Sequence, residues 1–224
     1  MIKDKLLSKR LATIYKWINQ GDVIADIGTD HGYLIAALVA DQVCPKAFGV
    51  DNKPGPLQQA AKVMKAYHLE ADVELTLAMP DHAYHHVDGW VIAGLGYETI
   101  TKIIDEHFQS IKKLKYVIIQ SNTKVAQLRS YLQSKNLHIV DEKLVFDEFY
   151  YPMIKVRYQN EPYRLKEVEK LLGPVLLKDK VHPFNDYCEH IISQIDGILN
   201  EIPPNHPRVL ELQRRKQSFL TEIN

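Results

Sequence analysis

The chain has 224 residues, 46% of them hydrophobic and 25% charged, which is typical of a globular protein and argues against disorder. Lys plus Arg and Asp plus Glu are equal at 28 each, so the net charge gives no argument for a polyanionic partner. Cys44 and Cys188 are far apart, which argues against a disulfide framework and a cysteine-based metal centre. We therefore expect a protein of the reducing cytoplasm that holds no metal.

The amino terminus, MIKDKLLSKRLATIYKWI, is charged and amphipathic, unlike the apolar core of a signal peptide. No run approaches the roughly 20 apolar residues that cross a bilayer. We expect a soluble, unexported monomer with no membrane association.

Short runs rich in valine and isoleucine alternate with helical spacings through the first two thirds of the chain. The runs predict strands, in chain order, at 23–27, 47–50, 73–77, 90–93, 116–120, 139–146 and 153–158. The helical spacings predict helices at 6–18, 33–39, 57–67, 97–108 and 125–132. This alternation implies right-handed crossovers and a mainly parallel sheet covered on both faces.

The last two predicted strands have only DEFYYP between them, so we expect a hairpin at one end of the sheet. Seven strands, mostly parallel and ending in a hairpin, are the α/β, Rossmann-like architecture of the class I methyltransferases, although this is an analogy of fold and not of chemistry. The simpler doubly wound dinucleotide-binding fold is the alternative.

No strand pattern appears after about residue 160, which predicts a Rossmann-like domain at 1–160 and a helical domain at 161–224. Apolar residues recur at spacings of three and four over 184–202 and again over 209–223. This spacing predicts two antiparallel helices that pack in a coiled-coil-like manner. Lys216 occupies a position in the second of these helices where the apolar spacing predicts a hydrophobic side chain.

The stretch ADIGTDHGYL, residues 25–34, follows the first predicted strand and opens the next helix, at the sheet edge where open α/β folds bind ligands. The dinucleotide fingerprint G-x-G-x-x-G is absent. Asp26 and Asp30 would repel a pyrophosphate, whereas a cationic ligand suits them. S-adenosylmethionine, with its ammonium, its sulfonium and a single carboxylate, is therefore favoured over a nicotinamide dinucleotide.

Two positions further along the chain fit an adenosine ligand. Asp51, about 23 residues after Gly28, ends the second predicted strand, where an acidic side chain accepts hydrogen bonds from both ribose hydroxyls. A turn-forming role for Asp51 is the alternative. Met79 follows the third predicted strand, where an adenine ring commonly lies, although a core methionine is an equal alternative.

Six stretches, in the same order along the chain, resemble the bacterial tRNA (adenine-22-N1)-methyltransferases. They are SKRL (8–11), ADIGTDHGYL (25–34), GVDNKPGP (49–56), IAGLG (92–96), IIQSN (118–122) and LLGPVLLKDK (171–180). The resemblance covers nearly the whole chain. It implies a class I catalytic domain that binds S-adenosylmethionine, a helical tail that contacts tRNA, and methyl transfer to N1 of an adenine in the D loop.

The loop pattern and the resemblance together assign residues to roles. The cofactor-binding candidates are Asp26, Gly28, Thr29, Asp30, His31, Tyr33, Asp51, Asn52, Met79, Ala93, Gly94 and Leu95. The catalytic candidates are Asp30, which would stabilise the methylated ring or accept a proton, and the amides of Gln120 and Asn122. The RNA-binding candidates are Lys9, Arg10 and Tyr97.

Several alternatives are open at this point. Asn122 is equally suited to be a helix N-cap. The chain departs from the family pattern at Met79, Tyr97 and Ser121, which keeps a non-catalytic RNA-binding or cofactor-sensing protein possible, and a small-molecule methyltransferase is the nearest enzymatic rival. The basic residues 214–216 on the last helix could track phosphates, or they could simply be solvated.

Overall fold

The computed structural model describes residues 2–77 and 87–223. Within these ranges the strands are β1 (Ile24–Ile27), β2 (Ala47–Val50), β3 (Val73–Thr76), β4 (Gly89–Leu95), β5 (Tyr116–Ser121), β6 (Leu137–Asp147) and β7 (Phe149–Tyr158). They form a seven-stranded sheet in the order β3-β2-β1-β4-β5-β7-β6. Strands β1 to β5 are parallel, and β7 runs antiparallel to both β5 and β6. The predicted fold class is confirmed.

Helices connect the parallel strands and cover both faces of the sheet. The helices of the sheet region are α1 (Lys3–Leu6), α2 (Lys9–Tyr15), α3 (Tyr33–Ala40), α4 (Pro54–Ala66), α5 (Tyr97–Glu106), α6 (Phe108–Ile111) and α7 (Val125–Ser134). One apolar core lies on the face of α2 to α4, and a second lies on the face of α5 and α7. Strand β1 is buried throughout, as its uninterrupted apolar run predicts.

The hairpin at the edge of the sheet is confirmed, but its predicted connection is wrong. The stretch DEFYYP was expected to be a loop, whereas β6 ends at Asp147, β7 begins at Phe149, and Glu148 alone makes the turn with a φ of 64°. The aromatic residues explain the difference, because rings favour extended strands and pack across the hairpin: Phe146 and Tyr150 lie 4.9 Å apart, centroid to centroid.

The helix predicted at 6–18 is shorter in the structure, where α2 covers Lys9–Tyr15 and the separate helix α1 ends at Leu6. The backbone of Leu7 is extended, and Ser8 caps α2 by accepting a hydrogen bond from the N–H of Leu11 at 3.3 Å. Asp147 Oδ2 accepts another from the N–H of Arg10 at 3.1 Å. Because these acceptors satisfy the first N–H groups of a helix, they fix a new start at Lys9.

The carboxyl-terminal region is helical, as predicted, with α8 (Glu167–Leu172), α9 (Pro174–Asp179), α10 (Phe184–Glu201) and α11 (Val209–Ile223). Lys180 before α10 bonds the carbonyl of Glu222 at the end of α11, so these two helices are antiparallel. Lys216 Nζ lies 2.5 and 2.7 Å from the carboxylate oxygens of Asp196. This ion pair between α11 and α10 explains why Lys216 occupies a position predicted to be apolar. Within the described ranges, no helix is long and apolar enough to cross a bilayer.

A buried ion pair joins the helical region to the sheet region. Arg129 of α7 donates to Glu142 of β6 at 2.8 Å, and both side chains are almost completely inaccessible to solvent. Arg129 also donates to the carbonyls of residues 170 and 171, and Glu142 accepts from the N–H of Val175. Between these segments Gly173 has a φ of 95°, and a Cβ there would collide with both charged groups. The ion pair therefore fixes α8 and α9 onto the sheet.

Candidate active site

A cavity of about 860 Å³ opens at the carboxyl ends of β1, β2 and β4. The strand order reverses between β1 and β4, and ligands of open α/β folds bind at such a point. The walls come from the loop after β1, residues 51–53 after β2, Leu77 after β3, residues 93–95 of β4, one face of α5, and Arg10. The volume is within the usual range for a small-molecule site.

Most of the predicted cofactor-binding residues line this cavity. They are Asp26, Gly28, Thr29, Asp30, His31, Tyr33, Asp51, Asn52, Ala93, Gly94 and Leu95. Met79, predicted to rest on an adenine ring, lies outside the described residues. The exposed side chain of Leu77, 56% accessible, supplies apolar surface to the cavity wall. Leu77 was not among the predicted site residues, because it falls within the apolar run that predicts the third strand.

The glycine loop is held to β2 by its own backbone. Gly28 has a φ of 80°, and the N–H groups of Gly28 and Thr29 donate to the carbonyl of Val50 at 2.8 and 3.0 Å. These two N–H groups therefore hold the loop in position and are not free to bind a ligand.

Asp26 is a buried carboxylate at the inner end of the cavity. Thr29 Oγ1 donates to its Oδ2 at 3.0 Å. Burial raises the pKa of Asp26 to about 6, with smaller upward contributions from Asp51 and Asp30, while Thr29 and Arg10 act in the opposite direction. The protein therefore keeps a costly negative charge where a cationic ligand group would stabilise it.

Asp30, in contrast, lies at the mouth of the cavity. Its φ is 50° and its side chain is 71% exposed. His31 Nε2 is 3.7 Å from Asp30 Oδ2, and the His31 ring stacks on Tyr33 with 5.3 Å between centroids. The loop thus presents one buried and one exposed carboxylate, with two stacked rings beside the exposed one.

Asp51 both stabilises the turn after β2 and lines the cavity. Its Oδ1 accepts a hydrogen bond from the N–H of Lys53 at 3.0 Å, so the turn-forming alternative is correct. Its side chain also lines the cavity, and no hydrogen bond within the described ranges occupies Oδ2. With respect to the described residues, one carboxylate oxygen is therefore available to a ligand hydroxyl.

Two side-chain amides hold the loop at the end of β4. Gln120, fully buried in β5, accepts from Arg10 Nη1 at 2.7 Å and from the N–H of Gly94 at 3.0 Å. It donates to Asn122 Oδ1 at 3.0 Å, and Asn122 Nδ2 donates to the carbonyl of Gly94 at 2.8 Å. Both backbone polar groups of Gly94 are thus fixed, and Gln120 and Asn122 lie behind the cavity wall instead of on it.

The alternative assignment of Asn122 as a helix N-cap is wrong. Helix α7 begins at Val125, its N-cap is Lys124, and the side chain of Asn122 bonds Gln120 and Gly94. The neighbouring Ser121, where the chain departs from the family pattern, donates from its hydroxyl to the carbonyl of Thr123 at 2.7 Å. This side-chain hydrogen bond stabilises the turn between β5 and α7.

The RNA-binding candidates lie at different distances from the cavity. Arg10 lines it, and its guanidinium carbon is 5.4 Å from the centroid of the Tyr151 ring. Lys9 is exposed at the start of α2. Tyr97, the first residue of α5, is half-buried against Tyr131 with 6.5 Å between centroids and does not line the cavity.

Helix α5 supplies a cavity wall that the sequence analysis did not identify. Its contributing residues are Glu98, Thr99, Lys102, Ile103 and Glu106. The signal was available, because a helix that follows a parallel strand starts at the same sheet edge as the other loops. In the part of the chain that the structure describes, no group of three or more His, Cys, Asp and Glu side chains could hold a metal ion.

Comparisons with known proteins show the family to which this chain belongs. Residues 7–154 match a family model described as a methyltransferase domain. The M. capricolum protein TrmK, solved in complex with S-adenosyl-homocysteine, is 32% identical to this chain. The match covers 97% of this chain and 98% of the M. capricolum protein, and the two structures superpose with a TM-score of 0.83. The chain belongs to the TrmK methyltransferase family.

Two curated relatives support membership of the TrmK family. A Mycoplasma genitalium protein assigned as a tRNA methyltransferase is 30% identical over 181 residues, 78% of this chain and 81% of the relative. The tRNA (adenine(22)-N(1))-methyltransferase of Bacillus subtilis is 26% identical over 144 residues, which are 63% of this chain and 60% of that relative's length. The match thus spans less than two thirds of the Bacillus protein. The family predicted from the six motifs is confirmed.

Proposed function

We propose that the protein transfers a methyl group from S-adenosylmethionine to N1 of an adenine in tRNA, at the position numbered 22 in the name of the Bacillus relative. The observation that carries this proposal is the cavity at the carboxyl ends of β1, β2 and β4, which is lined by Asp26, Asp30 and Asp51 in a chain of the TrmK family.

The residues of the cavity fit S-adenosylmethionine. The adenosine half would lie between the free oxygen of Asp51, which suits a ribose hydroxyl, and the apolar surface of Leu77. The methionine half would lie near Asp26, whose buried carboxylate suits an ammonium group. A pyrophosphate ligand would meet three carboxylates instead, which opposes a dinucleotide.

When bound, the cofactor supplies a methyl carbon that the sulfonium activates toward nucleophiles. The work of the protein is to align the N1 lone pair of the adenine with that carbon and to exclude competing geometries. The base has to leave its stack to reach the cavity, at a cost of a few kcal/mol. The stacked rings of His31 and Tyr33 offer a surface that would offset part of this cost.

Asp30 is the carboxylate that we assign to the substrate. It is exposed at the mouth of the cavity, whereas Asp26 is buried at its inner end. Methylation at N1 leaves a positive charge on the adenine ring, and a carboxylate beside the ring stabilises that charge or accepts a proton from the exocyclic amine.

Gln120 and Asn122 act in this proposal as positioning residues. Gln120 has no exposed surface, and both polar groups of the Asn122 side chain are bonded. Contact with the base would require these bonds to open. Through Gly94 and Arg10 the two amides instead fix the cavity wall on which the reacting groups meet.

The RNA would approach across Arg10, which lines the cavity, and across Lys9 and Tyr97, the first residues of α2 and α5. Arg10 reaches into the cavity, where a guanidinium can hold a phosphate or stack on a base. This role would place the protein in the cytoplasm, where tRNA is modified.

The decisive experiment is incubation of the protein with labelled S-adenosylmethionine and bulk tRNA, followed by nucleoside analysis. We expect label in N1-methyladenosine. Label in another nucleoside would redirect the substrate assignment, label in a small molecule alone would favour a small-molecule methyltransferase, and cofactor binding without transfer would favour a sensing or RNA-binding role.

The role of Asp30 is tested by Asp30→Ala, with Asp179→Ala as the control because Asp179 is exposed on α9, far along the chain from the cavity. We expect Asp30→Ala to bind the cofactor and to lose transfer by at least about a hundredfold, within the range for a general acid–base group. Turnover equal to that of Asp179→Ala would remove Asp30 from the catalytic step.

A further inference from the structure

A second cavity, of about 300 Å³, lies where the helical region meets the sheet region. One wall is Lys124 and the first turn of α7, residues 125–127. The opposite wall is Leu171 of α8, Tyr187 of α10 and Arg215 of α11. No carboxylate is among the described residues that line it, so its two charged side chains are both cationic.

Arg215 is the unusual member of this group. Its Nε is buried, and it is the single buried side-chain nitrogen or oxygen in the described ranges that has no hydrogen-bond partner. No ion pair involving its guanidinium occurs among the residues that the structure describes, whereas the adjacent Lys216 is paired with Asp196. A cationic side chain with an unpaired buried donor is unfavourable, and an anion in the cavity that Arg215 lines would place a compensating negative charge beside its guanidinium.

The start of α7 also favours an anion in this cavity. This ten-residue helix has no side-chain cap and no acidic residue in its first turn. The N–H groups of Val125, Ala126 and Gln127 meet no acceptor elsewhere in the described segments. Unpaired N–H groups and the positive end of a helix favour an anion such as phosphate.

The second cavity is adjacent to the first. Lys124, which lines the second cavity, pairs with Glu98, which lines the first. The Lys124 ammonium also lies 5.7 Å from the centroid of the Tyr97 ring. A ligand long enough to occupy both cavities would therefore pass over Lys124 and Tyr97.

We propose that the second cavity binds a backbone phosphate of the substrate RNA, with Arg215 and the first N–H groups of α7 as the donors. The proposal rests on the proposed function, because it assumes that the polyanion beside the active site is RNA. It makes α11 a contact that anchors the RNA while a base enters the first cavity.

Two variants test the RNA contact. Arg215→Gln removes the guanidinium, and Arg208→Gln, at an exposed position just before α11, is the matched control. Ala126→Glu places a carboxylate in the first turn of α7, where an acid favours the helix but repels a phosphate. Urea denaturation of both variants checks that each is folded, so that lost binding is not mistaken for unfolding.

The measurement is tRNA affinity as a function of salt, together with KM and kcat for tRNA. For Arg215→Gln and Ala126→Glu we expect affinity for tRNA to fall about tenfold or more at low salt, and the slope of log K against log salt to decrease by about one. KM for tRNA should rise while kcat and cofactor affinity stay unchanged. Wild-type affinity and slope in both variants would overturn the proposal even if adenine methylation is found.

Inorganic phosphate distinguishes an RNA phosphate from a free one. We expect phosphate, added at constant ionic strength, to shift the backbone amide resonances of residues 125–127 in the wild type and in Arg208→Gln, but not in Arg215→Gln. Shifts that depend on Arg215, without any change in tRNA affinity in either variant, would assign the cavity to a free anion and refute the RNA contact. A wild type that binds tRNA through this cavity but methylates no adenine would refute the proposed function alone.

Discussion

Asp26→Asn should stabilise the fold while it abolishes cofactor binding. Burial raises the pKa of Asp26 from 3.8 to about 6. A shift of about two units corresponds to about 3 kcal/mol, since each unit is about 1.4 kcal/mol. This is the cost of ionising Asp26 in the folded protein, relative to the unfolded chain, at a pH above about 6.

The sign of the pH dependence follows from the raised pKa. Between pH 4 and pH 6 the folded protein binds a proton at Asp26 that the unfolded chain has largely released. The contribution of Asp26 to the free energy of unfolding is therefore greatest below pH 4, falls as the pH rises through this window and is lost above about pH 6. An asparagine carries no such dependence, and its carbonyl can still accept the hydrogen bond from Thr29.

The assay is urea denaturation of wild type and Asp26→Asn at pH 5 and pH 8, with calorimetric titration of S-adenosylmethionine at pH 8. We expect the variant to gain up to about 3 kcal/mol over wild type at pH 8 and less at pH 5, with its new N–H groups reducing the gain. Asp30→Asn is the control, because Asp30 is exposed in the same loop.

Two results would contradict this reasoning. If Asp26→Asn is less stable than wild type at both pH values, burial does not penalise the charge in the way described. If the variant binds S-adenosylmethionine as wild type does, the ionised carboxylate is not what holds the ammonium group.

Substitutions at three further positions test other parts of the structure. Gly173→Ala should lower the free energy of unfolding by about 2 kcal/mol or more, because a φ of 95° and the adjacent ion pair leave no room for a Cβ. Urea denaturation measures this, and an unchanged midpoint would contradict it. Gln120→Leu should weaken cofactor binding about tenfold, because it releases Arg10 and Gly94. Gln120→Glu keeps the hydrogen-bond acceptor and should retain most of the wild-type affinity. Titration calorimetry measures both affinities, and an equal loss in the two variants would argue against a positioning role. Asp51→Ala should raise the Kd for S-adenosylmethionine about tenfold without changing stability by more than about 1 kcal/mol; equal binding would exclude the ribose contact.

The strands could be predicted from sequence because their apolar runs are short and bounded by polar turns. β1, for example, was expected at 23–27 and lies at Ile24–Ile27. The cofactor loop could be located because a glycine-containing turn after the first strand has a fixed place in such a fold. The aromatic hairpin could not be delimited, since DEFYYP combines turn-forming and strand-forming residues and only the pairing with β6 decides between them.

The roles of Gln120 and Asn122 show the limit of reasoning from a motif. The motif IIQSN predicted correctly that both amides lie at the ligand-binding edge of the sheet. Their hydrogen-bond partners, however, are Arg10 and Gly94, which are far away in sequence. Long-range hydrogen bonds of this kind leave no periodicity in a sequence. The fully bonded state of both amides is therefore information that the structure alone supplies.

The ion pair between Arg129 and Glu142 has a consequence for any attempt to divide the protein. Truncation after residue 160 would take away the carbonyls and the N–H group that complete the hydrogen bonding of the pair, and would uncover the apolar surface beneath α8 and α9. Separating the two regions would therefore cost free energy in both of them. They should melt in one cooperative calorimetric transition, and a fragment ending at 160 should expose apolar surface and tend to aggregate.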